Sequence, residues 1–166
     1  MLKLIKVVIV AVVLAMGASP VWAGAAADNN KGFRYYNAGN MSEAMKWYRK
    51  AADQGLAVAQ INLGRMYYQG EGVPQDYREA VKWFRKAAGW GHSQAQFLLG
   101  HMYYFGKGVP QDYVMAHLWL NLATTNGYAD GAKARDIVAK EMTPAQIAAA
   151  QSRASACFNS NYRDCE

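Results

Sequence analysis

Residues 57–92 read AVAQINLGRMYYQGEGVPQDYREAVKWFRKAAGWGH, and residues 93–128 read SQAQFLLGHMYYFGKGVPQDYVMAHLWLNLATTNGY. The second stretch repeats the first at an offset of 36 positions. Identical residues recur in both copies: Leu63/Leu99, Gly64/Gly100, Met66/Met102, Tyr67/Tyr103, the run Val73–Tyr77 over Val109–Tyr113, Trp83/Trp119 and Gly91/Gly127. A period of this length indicates an array of small supersecondary units that stack on one another.

The sequence of each copy predicts two amphipathic helices joined by a loop. The expected fold is therefore all-α. In the first copy the helices are expected over about 57–69 and 77–88, because apolar residues recur there at spacings of three and four. The Gly-x-Gly-Val-Pro loop between them suits a turn and lacks the Lys-Ser/Thr of a phosphate-binding loop. Gly64 and Gly100 fall inside helices, so we expect close packing there, against Ala80 and Ala116.

Incomplete units flank the two copies, which gives units over about 28–56, 57–92, 93–128 and 129–156. The first unit lacks four residues of the Gly-x-Gly-Val-Pro loop, and Asn40 takes the place of Asp76 as a helix N-cap. Each of these caps is followed three residues later by Glu, which predicts a capping box. The sequence Thr143-Pro144-Ala145-Gln146 begins a final helix, expected to end near Cys157 and to cap the stack.

The N-terminus has the pattern of a secretory signal peptide over residues 1–23. Lys3 and Lys6 precede an apolar run, and Ala23 offers a small residue for cleavage. Cleavage within Ala25–Ala27 is a second possibility, and an uncleaved membrane anchor is the alternative to both. The apolar run is short of the ~20 residues that cross a bilayer, so we expect a periplasmic or secreted protein with no stable membrane span after cleavage.

The charge distribution argues against a nucleic-acid partner. The formal net charge is +6, and two of those charges belong to the predicted signal peptide. The cations recur at equivalent places in successive second helices, as in a solvated face: Lys46, Arg49, Lys50, Lys82, Arg85 and Lys86. Binding to nucleic acid would require a denser basic stripe.

The sequence contains no recognisable catalytic or metal-binding motif. Cys157 and Cys165 are the only cysteines, and in an exported protein a disulfide is the leading interpretation, with a metal pair as the weaker one. His92, His101 and His117 are not at metal-ligand spacing. His117, matched with Lys82, is expected on the solvated face. No cofactor is predicted.

The pattern Ala57-x-Ala59-x-x-x-Leu63-Gly64-x-x-Tyr67-x-x-Gly70-x-Gly72-Val73, followed by Ala80-x-x-Trp83-x-x-x-Ala87-Ala88-x-x-Gly91, resembles the Sel-one-like repeat family, a relative of the tetratricopeptide repeat. The resemblance covers most of the chain after residue 23. It implies an α-solenoid of antiparallel helix pairs, in about three to four units, with a concave groove that binds a peptide or partner protein.

The resemblance also implies which residues face the partner. In related repeats the contacts come from first-helix positions beside the packed ones, which here are Ile61, Arg65, Tyr68, Gln69, Phe97, His101, Tyr104 and Phe105. Aromatic residues and Arg are common energetic anchors of interfaces. The alternative is that these aromatic side chains fill space between helices.

The function expected from the resemblance is a non-enzymatic, exported protein-interaction scaffold. Because aromatic grooves also stack sugars, a cell-envelope glycan- or peptidoglycan-binding protein is an alternative, as is an accessory of an enzyme that acts on peptidoglycan or β-lactams. The sequence offers no acid–base pair for such chemistry.

Overall fold

The structure, a computed structural model, describes residues 20–163 and 165. Residues 1–19, which hold most of the predicted signal peptide, lie outside this part. The described chain contains α-helices and no strand. The helices are α1 (Pro20–Asn37), α2 (Met41–Asp53), α3 (Ala57–Gln69), α4 (Tyr77–Ala88), α5 (Ser93–Phe105), α6 (Tyr113–Thr125), α7 (Gly131–Ala139) and α8 (Pro144–Asn159). None of the described helices is long and apolar enough to cross a membrane.

The helices form an α-solenoid, which confirms the predicted fold. The pairs α1–α2, α3–α4 and α5–α6 pack most closely, and α2 packs on α3 as α4 packs on α5. After the third pair the arrangement changes, because α7 and α8 both pack on α6. The predicted fourth unit therefore consists of two helices, α7 and α8, that each pack on the last full helix pair.

Two hydrogen bonds join successive units and recur with the sequence period. The buried side chain of Gln60 donates to the Ala52 carbonyl oxygen at 3.2 Å. Gln96 donates in the same way to the Ala88 carbonyl oxygen at 3.3 Å. Each glutamine adds a second hydrogen bond to a carbonyl oxygen at the end of the preceding second helix, which also accepts from the backbone amide of Gly55 or Gly91. The repeated glutamine therefore fixes one unit against the next.

The glycines inside the helices do allow close packing, but the predicted neighbours were only partly correct. A Cβ atom at Gly64 would lie 2.6 Å from the Phe84 ring, and one at Gly100 would lie 2.7 Å from the Leu120 side chain. The nearest side-chain contacts thus come one helical turn after Ala80 and Ala116. The carbonyl oxygen of Ala116 also lies close, 3.2 Å from the Gly100 Cβ position.

The second glycine of each Gly-x-Gly loop contacts the preceding unit. The Cβ position of Gly72 lies 2.9 Å from the carbonyl oxygen of Met41, the first residue of α2. That of Gly108 lies 2.3 Å from the carbonyl oxygen of Tyr77, the first residue of α4. Among the described residues no repeat unit precedes the first one, so a loop of this kind would have no such contact to make there. Its turn glycine, Gly39, has no atom within 4 Å of its Cβ position.

The helix N-caps are confirmed, whereas two of the capping boxes are incomplete. The Asn40 side chain accepts from the Glu43 amide, and the Asp76 side chain accepts from the Glu79 amide. The glutamates do not return the bond: Glu43 accepts from the Trp47 indole at 3.1 Å, and Glu79 accepts from Lys82. Among the described helices, α8 alone has a complete capping box, between Thr143 and Gln146.

The placement of His117 on a solvated face is wrong, since its side chain is 2% exposed. The period of 36 residues aligns His117 with Val81, which is also buried, and aligns Lys82 with Leu118. Lys82 is exposed in α4, whereas Leu118 is fully buried in α6. Leu118 is buried where Lys82 is exposed because α7 and α8 cover α6 at the end of the stack.

His117 makes the stability of the protein depend on pH. Burial and the nearby Arg135 lower its pKa, while Asp136 opposes them. On acidification the unfolded chain, with an imidazole pKa near 6.5, binds a proton before the folded protein does. We expect the free energy of unfolding to fall as the pH is lowered from about 7.5 to about 5.5, through the pKa of the unfolded imidazole, as urea denaturation would show. His117→Val, which restores the residue found at Val81, should weaken this dependence, and an unchanged slope would contradict the assignment.

The C-terminal tail returns to the stack and is held there by Cys157 and Cys165, whose sulfur atoms are bonded in the structure. Both residues are buried. Between them, Tyr162 donates to the Asn126 side chain at 3.0 Å, and its ring packs on Gly91. The tail thus reaches the turns that follow α4 and α6.

Removing this disulfide should destabilise the protein by about 2 to 3 kcal/mol, because the open chain of the unfolded state gains entropy. The measurement is urea denaturation of Cys157→Ser/Cys165→Ser against the wild type. Tyr162→Phe is the control, since it removes only the hydroxyl bond to Asn126. Equal midpoints for the double variant and the wild type would contradict this role of the bond.

Candidate partner-binding groove

Three adjoining clefts run along the first helices of the units. The first cleft, about 470 Å³, lies between α1 and α3, and the central cleft, about 160 Å³, lies between α3 and α5. The third, about 120 Å³, lies between α5 and α7. Arg65 and Tyr68 line both the first and the central clefts, and His101 and Phe105 line both the central and the third. Because neighbouring clefts share residues, they form one groove.

Seven of the eight residues predicted for the groove line these clefts: Arg65, Tyr68, Gln69, Phe97, His101, Tyr104 and Phe105. The exception is Ile61, which is 1% exposed and belongs to the core together with Phe84 and Leu99. Ile61 and Phe97 are equivalent in sequence, but the shorter side chain is completely covered. Ile61 therefore cannot contact a partner in this conformation.

Aromatic rings line the groove in a continuous series. The Phe97 ring lies 4.4 Å from that of Tyr128 and 4.5 Å from the imidazole of His101, measured between centroids. The series continues from His101 to Phe105 at 5.9 Å and from Phe105 to Tyr104 at 4.8 Å. Burial lowers the pKa of His101, which keeps its imidazole neutral at pH 7. Phe105 is the most open of these rings, with 57% of its surface exposed.

Two charged groove residues come from the loops that were interpreted only as turns. Glu71 and Lys107 are equivalent residues between the two glycines of each loop. The Tyr36 hydroxyl donates to the Glu71 carboxylate at 2.9 Å, and Lys107 donates to the Tyr68 hydroxyl at 2.7 Å. Each loop thus reaches the first helix of the preceding unit. The signal in the sequence was a change of charge at one position of an otherwise repeated loop.

Other lining residues were also absent from the predicted set. They are apolar or polar residues of the first helices and of α7, namely Phe33, Tyr36, Asn62, Leu98, Ala134 and Ile137. Phe33 and Ile137 are about half exposed, at 55% and 46%. Their helices match the repeat weakly in sequence, so the period did not assign them to the groove. The structure extends the groove beyond the two perfect copies at both ends.

Within the described residues, no group of three or more His, Cys, Asp or Glu side chains could hold a metal ion. The carboxylate that lines the first cleft, Glu71, is engaged with Tyr36.

An α-solenoid of stacked helix pairs defines the class, a helical-repeat protein. The chain belongs to the Sel1 repeat family, whose model matches residues 38–56, 57–89 and 93–128, more than half of the chain. A search of curated proteins returns no significant match.

Solved structures of related repeats share the fold. The chain is 41% identical, with a TM-score of 0.77 over 83% of its length, to c5321, a protective antigen of uropathogenic Escherichia coli that displays an SLR fold. It is 36% identical, with a TM-score of 0.65 over 75%, to a Sel1 repeat protein from Oxalobacter formigenes. Cysteine rich protein B of Helicobacter pylori is 26% identical, with a TM-score of 0.53 over 55%. The chain spans 30%, 53% and 68% of these proteins' lengths, respectively.

Proposed function

We propose that this protein is an exported, non-enzymatic scaffold that holds an extended segment of a partner protein in its groove. The observation that carries the proposal is the series of three adjoining clefts lined by partly exposed aromatic side chains. Aromatic residues in such positions supply much of the energy of protein interfaces. The signal-peptide pattern of residues 1–23 and the Cys157–Cys165 bond support export.

Phe105 provides the sharpest test of the groove. We expect Phe105→Ala to weaken binding of a groove ligand by about tenfold or more, because the open ring joins the central and third clefts. The probes are dodecamer peptides selected from a phage-displayed library against the wild-type protein, and binding is measured by fluorescence anisotropy.

Trp90→Ala is the matched control. Trp90 is 77% exposed, follows α4 and lines none of the three clefts. Both substitutions remove an exposed aromatic side chain, so both variants should keep the helical circular dichroism of the wild type. Selected peptides that bind Phe105→Ala as tightly as the wild type, or that lose affinity for Trp90→Ala instead, would contradict the proposed groove.

Glycan binding is the second candidate, and the partly exposed ring of Phe97 beside Tyr128 favours it. Sugars stack on such rings, but they also require several hydrogen-bonding groups. The third cleft offers few of these, since its lining is aliphatic apart from His101, Tyr104 and Phe105. Soluble peptidoglycan fragments that bind the wild type and lose affinity for Phe105→Ala would favour a glycan over a peptide.

A further inference from the structure

The central cleft combines apolar walls with two positive charges. Phe97, Leu98 and Phe105 supply apolar surface, and Arg65 and Lys107 supply the charges. No Asp or Glu lines this cleft. His101, the remaining titratable imidazole there, is neutral at pH 7 because burial lowers its pKa. The centre of the groove therefore has a net positive charge at neutral pH.

Neither Arg65 nor Lys107 forms an ion pair with a carboxylate in the part of the chain that the structure describes. Arg65 is exposed and makes no hydrogen bond or ion pair with a described residue. Lys107 donates to the Tyr68 hydroxyl, a neutral acceptor, and its ammonium lies 4.8 Å from the Tyr68 ring centroid. Glu71 lines the first cleft, which Arg65 also lines, but its carboxylate accepts a hydrogen bond from Tyr36 and makes no ion pair with Arg65.

This arrangement differs from that of the cations on the second helices. Lys46 pairs with Glu43 at 3.6 Å, and Lys82 pairs with Glu79. On that face, carboxylates of the same helix balance the charge locally. In the groove the cations come from different units and have no such partner, so a complementary anion has to come from the ligand.

Building on the proposed scaffold function, we propose that the groove selects peptide segments in which an acidic side chain stands beside large apolar side chains. The carboxylate lies between Arg65 and Lys107, and the apolar neighbours occupy the walls formed by Phe97, Leu98 and Phe105. Arg65 supplies a planar donor group suited to a carboxylate, and Lys107 supplies a point charge.

A peptide fits this site better than an acidic sugar. The third cleft, which continues from the central one, is lined by Leu120, Ala134, Ile137 and Val138 beside its aromatic residues. Such a surface accommodates aliphatic or aromatic side chains, whereas sugar hydroxyl groups would lose their hydrogen bonds to water there. The neighbouring charged and apolar sites therefore favour an acidic peptide.

The test uses the peptides selected by phage display and the double variant Arg65→Gln/Lys107→Gln. We expect Asp and Glu to be enriched among peptides that depend on Phe105. Replacing the acidic residue of the best peptide by its amide should weaken binding to the wild type by about tenfold, since two moderately exposed ion pairs are lost. The double variant should bind the acidic peptide about tenfold more weakly, and the amide change should then have little further effect.

Lys46→Gln/Lys82→Gln is the matched control, because it removes the same net charge from the second-helix face. Its affinity for the acidic peptide should stay close to that of the wild type. Binding by the wild type should also weaken as salt increases, because salt screens exposed charges.

The outcomes distinguish this inference from the proposed function. Binding of the selected peptides could depend on Phe105 while the peptides show no enrichment in Asp or Glu and the double variant binds them normally. In that case the proposed acidic preference is wrong, whereas the proposed groove still holds. If no selected peptide depends on Phe105, both are wrong. If an oligogalacturonate displaces the acidic peptide at comparable concentration, the preference for a peptide over an acidic sugar is overturned.

Discussion

Gly108→Ala is expected to lower the free energy of unfolding by about 3 kcal/mol or more. The residue has a φ of +72°, a left-handed conformation that costs a side chain about 1 kcal/mol or more. The added Cβ would also lie 2.3 Å from the carbonyl oxygen of Tyr77. The obstacle is backbone at the start of α4, so no side-chain rotation can relieve the clash.

Gly39→Ala separates the two causes of this loss. Gly39 has a φ of +76°, but no atom lies within 4 Å of its Cβ position. We expect this variant to lose only about 1 kcal/mol, the cost of the left-handed backbone. Both variants are measured by urea denaturation followed by far-ultraviolet circular dichroism. Equal losses would show that the contact between the loop and α4 contributes little.

The same contact connects stability to the groove. Gly108 holds its loop on α4, and the preceding residue in that loop, Lys107, reaches Tyr68. A variant that displaces the loop should therefore move one of the two groove cations. We expect Gly108→Ala to weaken binding of acidic peptides under conditions where the protein is still folded, whereas Gly39→Ala should not.

The second large effect is expected for Leu118→Lys, at about 3 kcal/mol or more. The substitution places in α6 the residue found at the equivalent position of α4, Lys82. Lys82 is exposed, but Leu118 is fully buried, so the new ammonium would lose its hydration or force the neighbouring helices apart.

The reverse substitution, Lys82→Leu, is the control. It adds an apolar residue to an exposed face and removes the surface contact with Glu79, so its effect on stability should stay within about 0.5 kcal/mol. Thermal and urea unfolding of both variants measure the difference. If Leu118→Lys were as stable as the wild type, the packing of α7 and α8 on α6 would have to be looser than the structure shows.

The helices of the two perfect copies were predictable because their ends are marked by short-range chemistry. Asp76 caps α4 through its own side chain, and Gly70 ends α3 in a left-handed conformation. Such signals act over three or four residues, so sequence alone specifies them. Most of the groove positions could also be predicted, because the helical period determines which side chains share a face.

The predictions failed where a second element determines the environment of a residue, or where the register of the repeat was shifted. Ile61 lies on the expected side of α3, yet the core covers it. His117 was aligned one position out of register, and a shift of one residue moves a side chain by about 100° around a helix. Glu71 and Lys107 were missed because their hydrogen-bonding partners lie 35 and 39 positions earlier in the chain.

The sequence by itself determined the repeat, the ends of most helices and the family, because each depends on local residues that recur every 36 positions. Only the tertiary structure decided how the stack ends and which charges enter the groove. Packing of α8 on α6 and contact of Gly108 with α4 join segments that are distant in sequence. Their energies depend on the distance between surfaces, which a sequence period does not specify.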